Sequence, residues 1–157
     1  MQLSKKESLL LKDQKEHEDM CIKKYNKYAN QTKDANLKNL FTDLAKEEQQ
    51  HLNTLNQIES GQAPNLSAAG SQQQSSGAQQ NQAASMPQGS NATAADAEMC
   101  TDMLSTEKYV SDTYDTAIFE FRDHATRDAL NHIQKEEQQH GEKIYNYMAS
   151  NGMYNVQ

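Results

Sequence analysis

The string Lys-Glu-Glu-Gln-Gln-His occurs at 46–51 and again at 135–140. Two copies of six residues in a chain of 157 point to an internal duplication. Self-similarity at a fixed offset constrains a fold before any single residue does. The offset is 89 positions, and it also carries Asp13 onto Asp102, Glu18 onto Glu107, Tyr25 onto Tyr114 and Asp34 onto Asp123. Each copy therefore holds one Glu, a second Glu thirty residues later, and a His three residues after that.

Within each copy, apolar residues recur at alternating spacings of three and four, which is the signature of a helix with one buried stripe. Four helices are predicted, over about 4–31, 35–60, 95–121 and 124–151. Their inward sets are Leu11, Gln14, Glu18, Cys21, Tyr25 and Tyr28; then Leu37, Leu40, Phe41, Leu44, Glu48, His51, Leu55 and Ile58. The third holds Cys100, Met103, Leu104, Glu107, Val110, Tyr114, Ala117, Ile118 and Phe121. The fourth holds Leu130, Ile133, Glu137, His140, Ile144, Tyr147 and Met148. Ser4 with Glu7 reads as a capping box, and Asp34 and Asp123 as N-caps. Gly61 and Gly152 read as C-terminal stops. The expected fold is all-α: a four-helix bundle made of two repeated hairpins, 1–60 and 96–157.

Residues 61–95 differ in kind. They are rich in Gln, Ser, Ala, Asn and Gly and contain no aromatic residue. Such a segment buries too little surface to offset its ordering entropy, so it reads as a disordered linker. A flexible coil of that length reaches roughly 30–35 Å, comparable to the ~40 Å length of each helix. It is long enough for the hairpins to pair within one chain or between chains.

The formal charge of −7 argues against nucleic-acid binding, because phosphate recognition needs a basic face. No apolar run approaches the ~18 residues of a membrane span. The first residues, Met1 to Glu7, lack an apolar core, so no secretory signal is expected and synthesis is expected in the cytoplasm. Cys21 and Cys100 fall on helix seams and read as small buried core residues. A disulfide or a metal-modulating thiol is the alternative.

The spacing sets the heights of the polar seam residues. In a hairpin turning near Lys33, Glu18 and Glu48 both lie about 22 Å from the turn. Glu107 and Glu137 are placed likewise about Arg122. Glu48 and His51 share a helix face, as do Glu137 and His140. Leucine, isoleucine and valine bracket these groups along the seam. Four buried carboxylates would each cost several kcal/mol without compensation, and two divalent cations would cancel their charge. Oxygen ligands with one imidazole per ion suit Fe or Mn. A Glu plus a Glu-x-x-His from each helix pair is the pattern of ferritin-like di-metal carboxylate bundles. The candidate metal ligands are therefore Glu18, Glu48, His51, Glu107, Glu137 and His140, holding two Fe or Mn ions.

Other readings stay open at this point. The carboxylates could form a hydrated, metal-free polar layer bonded to the two histidines. Glu47 or Glu136 could point inward instead, each being four residues from its His. Tyr25 and Tyr114 read as core aromatics whose hydroxyls could reach the ligand layer. His17, His124 and His132 fall off the seam and read as surface residues. Asp13 and Asp102 read as solvated.

The second half, from Asp102-Met-Leu-Ser-Thr-Glu-Lys-Tyr through Lys-Glu-Glu-Gln-Gln-His-Gly-Glu-Lys-Ile to Asn151-Gly-Met-Tyr, resembles the coat F domain of bacterial endospore coat proteins. The first half resembles it less closely, through the hexapeptide and the hairpin spacing. The resemblance implies a ferritin-like fold and a spore coat component, with other coat proteins or further copies of itself as partners. It also implies the six ligand positions named above. Two alternatives follow: a di-iron or di-manganese oxidoreductase acting on peroxide or oxygen, and a metal-free helical interaction module.

Overall fold

A computed structural model describes residues 2–64 and 91–154. Among them are α1 (Lys5–Gln31), α2 (Ala35–Glu59), α3 (Ala94–Glu120) and α4 (His124–Ser150), with no strand. The helix starts are set by local side chains. The Ser4 hydroxyl accepts from the Glu7 amide while the Glu7 carboxylate accepts from the Ser4 amide. Asp34 and Asp123 accept from the amides of Leu37 and Thr126. Thr93 and Asp96 form a second capping box that the periodicity did not reveal, so α3 begins at Ala94. Each such cap is worth about 1 kcal/mol.

Gly61 and Gly152 end α2 and α4 with φ of 75° and 69°, a region where a side chain is strained. The next amides, of Gln62 and Met153, then reach back to the carbonyls of Gln57 and Met148. This satisfies helix-end acceptors that would otherwise be orphaned.

The two hairpins pack as a four-helix bundle, with α1 against α3 and α2 against α4. Contacts at the ends fix the direction of α3 relative to α1. Glu7, in the first turn of α1, accepts from the amide and guanidinium of Arg122, just past α3. Thr32, just past α1, donates to Asp96 in the first turn of α3 at 2.6 Å. α1 and α3 are therefore antiparallel, and the repeats are related by an approximate twofold axis across the bundle. The end of α2 and the start of α3 consequently lie at opposite ends of the bundle. Most of the expected 61–95 linker falls on 65–90, outside the described residues; of its flanks, 62–64 and 91–93 are non-helical, and the two residues at 94–95 are helical.

The core is built from the predicted seams, with Leu11, Tyr25, Phe41, Leu55, Met103, Tyr114, Ile133 and Ile144 among its buried members. Tyr28, Leu40, Leu104, Ile118 and Tyr147 are only half-buried against it. They occupy the margins of stripes broader than a single heptad seam. Cys21 and Cys100 are buried and free. Burial pushes the Cys100 thiol up to about 12 and the Cys21 thiol higher. No described helix is long and apolar enough to cross a membrane.

Candidate metal centre

A polar layer interrupts this core near mid-height. Glu18, Glu48, His51, Glu107, Glu137 and His140 all meet there, none more than 2% exposed. They form two overlapping groups, Glu18–Glu48–His51–Glu137 and Glu48–Glu107–Glu137–His140. In each group, one ligand atom per residue lies within 4.8 Å of all the others. That spread is about twice a metal–ligand bond of ~2.0–2.2 Å.

Glu48 and Glu137 belong to both groups, and each spans the two imidazoles. Glu48 places Oε2 3.2 Å from His51 Nδ1 and Oε1 3.2 Å from His140 Nδ1. Glu137 places Oε1 3.1 Å from His51 Nδ1 and Oε2 3.7 Å from His140 Nδ1. Glu18 and Glu107 flank the ends. Their Oε2 atoms lie 3.4 Å from His51 Nδ1 and 3.7 Å from His140 Nδ1 respectively. The two rings are stacked, with centroids 5.4 Å apart and planes 14° apart.

The outer atoms of these side chains are held from behind. His51 Nε2 is 2.9 Å from Glu136, and His140 Nε2 is 2.8 Å from Glu47. Glu47 and Glu136 thus do not replace Glu48 and Glu137 in the layer. Each reaches the histidine of the other repeat, because α2 and α4 face one another across the twofold. Glu47 also accepts from Lys143 at 2.8 Å, and Glu136 lies 3.4 Å from His132 Nε2. The tyrosines cross over in the same way. Tyr25 donates to Glu107 Oε1, and Tyr114 donates to Glu18 Oε1.

These contacts leave a specific set of atoms unpartnered. Glu18 Oε2, Glu107 Oε2 and both oxygens of Glu137 are buried and make no hydrogen bond. An orphaned buried acceptor costs about 1–3 kcal/mol, more when charged. An imidazole that donates Nε2–H to a carboxylate turns its Nδ1 lone pair the other way. Here both Nδ1 atoms turn toward carboxylate oxygens. Lone pairs facing lone pairs in an apolar interior are relieved by a proton or a cation between them, and this donor set of oxygen and imidazole nitrogen fits a divalent metal.

Without such an ion, protons fill that role. Burial, reinforced by Glu48, raises the Glu18 carboxyl to about 8. Burial and the neighbouring Glu48 and Glu18 raise Glu137 well above its ordinary value. Burial alone would lower both imidazoles, but the surrounding carboxylates outweigh it and raise them well above theirs. Burial likewise opposes ionisation of Glu47, yet His140 and Lys143 hold it down at about 2.

Residues 95–157 match the Coat F domain family. No curated protein and no solved structure matches the chain. The matched stretch spans α3 and α4, and with them Glu107, Glu137 and His140. The first repeat supplies the other half of the layer from outside that stretch.

Residues off the layer divide differently from the sequence reading. His124 is exposed, as expected, but His17 and His132 are half-buried. His17 packs edge-on against Tyr109 with centroids 5.3 Å apart. Asp13 is exposed. Asp102 instead accepts from Tyr28 and Lys24, at 2.6 and 2.8 Å, and ties α3 to α1. The roles of Glu47 and Glu136 were missed, although a signal existed: the repeat retains both glutamates of Glu-Glu-Gln-Gln-His, whereas one suffices for Glu-x-x-His.

Proposed function

We propose that this protein is a spore coat component whose bundle holds two Fe or Mn ions. Glu18 and His51 would hold one ion and Glu107 and His140 the other, with Glu48 and Glu137 bridging both. The observation that carries the metal reading is the convergence of four orphaned carboxylate oxygens on two backed imidazoles. The coat role rests on the Coat F match over α3 and α4. Coat proteins, or further copies of the chain, are the partners this role implies.

A bound pair of such ions would supply redox and Lewis-acid chemistry at the bridged position. The chain's own residues do the rest. Tyr25 and Tyr114 orient the end carboxylates, Glu47 and Glu136 orient the imidazoles, and the apolar seam above and below excludes water. An oxidoreductase acting on peroxide or oxygen is a second reading, favoured by a groove between α3 and α4 whose lining includes Glu107 and Glu137.

Metal analysis of freshly isolated protein tests the first part, with about two equivalents per chain expected. Less than half an equivalent after anaerobic reconstitution with Fe(II) or Mn(II) would refute it. Fractionation of sporulating cells tests the second part. The chain should co-purify with mature coats, and its exclusive recovery from vegetative cells would contradict the coat role. Peroxide consumption by the loaded protein separates an enzyme from a passive holder.

A further inference from the structure

The two repeats differ in how they cover the centre. Between α3 and α4 lies a groove of about 590 Å³ that is lined by Glu107 and Glu137. Both are buried, and their unpartnered oxygens belong to the metal layer. Gly141 and Ser111 line the same groove and keep it open. So do Asp112, Asp115 and Glu142, three exposed carboxylates. Lys108 lines the groove too, but none of the three acids is paired with a cation among the described residues.

The first repeat carries the opposite features at the equivalent positions. Ser111 and Gly141 correspond, at the 89-residue offset, to Ile22 and Leu52, both half-buried. Asp112, Asp115 and Glu142 correspond to Lys23, Asn26 and Asn53. Lys108 corresponds to Asp19, so three acids and one base on one side are replaced by one acid, one base and two amides on the other. Small residues on one side are replaced by bulky aliphatics. The ligands have been kept in both repeats, while the cover over them has diverged.

We propose that the α3–α4 groove is the route by which divalent cations reach the centre, with Asp112, Asp115 and Glu142 gathering them at its mouth. This inference rests on the two-metal reading. A carboxylate-lined cleft with low-dielectric walls raises the local cation concentration and speeds capture by about ten- to a thousandfold. The groove then delivers the ion to atoms that have no other partner. A neutral oxidant passing through the same groove gains nothing from the three acids, so their charge serves the cation.

The test is stopped-flow uptake of Co(II) alone under anaerobic conditions, with bound equivalents measured separately by equilibrium dialysis. Gly141→Leu gives this position the residue of the first repeat and plugs the groove. A β-carbon at Gly141 meets only Leu104 Cδ1, at 3.6 Å, so Gly141→Ala is a size control that fits without displacement. Uptake should slow at least tenfold in Gly141→Leu and stay within twofold of wild type in Gly141→Ala. Asp112→Asn/Asp115→Asn/Glu142→Gln should slow it about tenfold at low ionic strength and flatten its salt dependence. All variants should still bind two equivalents at equilibrium. Wild-type rates in both the plugged and the neutralised variants overturn the route and leave the centre standing, as does equal slowing by alanine and leucine. A wild-type protein that takes up no Co(II) overturns the centre and the route together.

Discussion

Glu137→Gln separates the metal-free protein from the metal-loaded one more sharply than any other single change. Glu137 spans both imidazoles, and neither of its oxygens has a hydrogen-bond partner. In the metal-free protein, burial and the nearby Glu48 and Glu18 keep its carboxyl protonated. Replacing a neutral acid with a neutral amide of the same shape alters no charge near pH 7. The metal-free stability should therefore change by no more than about 1 kcal/mol, or about 4 °C in melting temperature. The metal-loaded protein should behave differently. An ion at a thousandfold excess over its Kd stabilises the folded state by about 4 kcal/mol. At about 4 °C per kcal/mol for a domain of this size, that is roughly 15 °C per ion. An amide is a poor substitute for a bridging carboxylate, so most of the rise should vanish in Glu137→Gln. Thermal melts by circular dichroism, with and without Mn(II), read both quantities. A large loss of metal-free stability, or a metal-induced rise equal to that of wild type, would show that the reasoning about Glu137 is wrong.

Three further outcomes are expected. Tyr25→Phe removes the donor to Glu107 Oε1 and leaves a buried acceptor unmet, which should cost about 1–3 kcal/mol in a denaturant titration; Tyr114→Phe should cost a similar amount through Glu18. Glu47→Ala removes the group behind His140, and competitive chelator titrations should show metal affinity lowered about 10–100-fold with the bound stoichiometry at saturation unchanged. Glu7 is held at about 2 by the Arg122 side chain, from an ordinary value of 4.5. Its folded-state value is depressed, so its contribution is present above about pH 4.5 and is lost as pH falls toward 2. Glu7→Gln should lower the melting temperature at pH 6 and flatten its decline over that acid window.

The helices and the layer were legible in the sequence because both follow from periodicity. Glu18 and Glu48 stand equally far from the turn near Lys33, so simple counting at 1.5 Å per residue puts them level. Glu48 and His51 share a face for the same reason. Groups whose partners lie on another helix were harder to see. Glu47 is four residues from His51, and within one helix that spacing suggests they pair. Only the antiparallel placement of α2 and α4 sends it to His140 instead. Glu7 read as a capping residue, and nothing local signalled that Arg122, 115 positions away, would close over it. Thr93 does not stand out as an N-cap because the polar composition before Ala95 masks where the helix begins. The groove is not legible in the repeat pattern because it arises from the positions at which the repeats differ.

Anomalous diffraction from crystals soaked in Mn(II) tests the central claim most directly. Two peaks per chain are expected within the bundle, one touching Glu18 and His51 and the other Glu107 and His140, with Glu48 and Glu137 touching both. A single peak, peaks confined to surface carboxylates, or six side chains unchanged with no peak between them would contradict it.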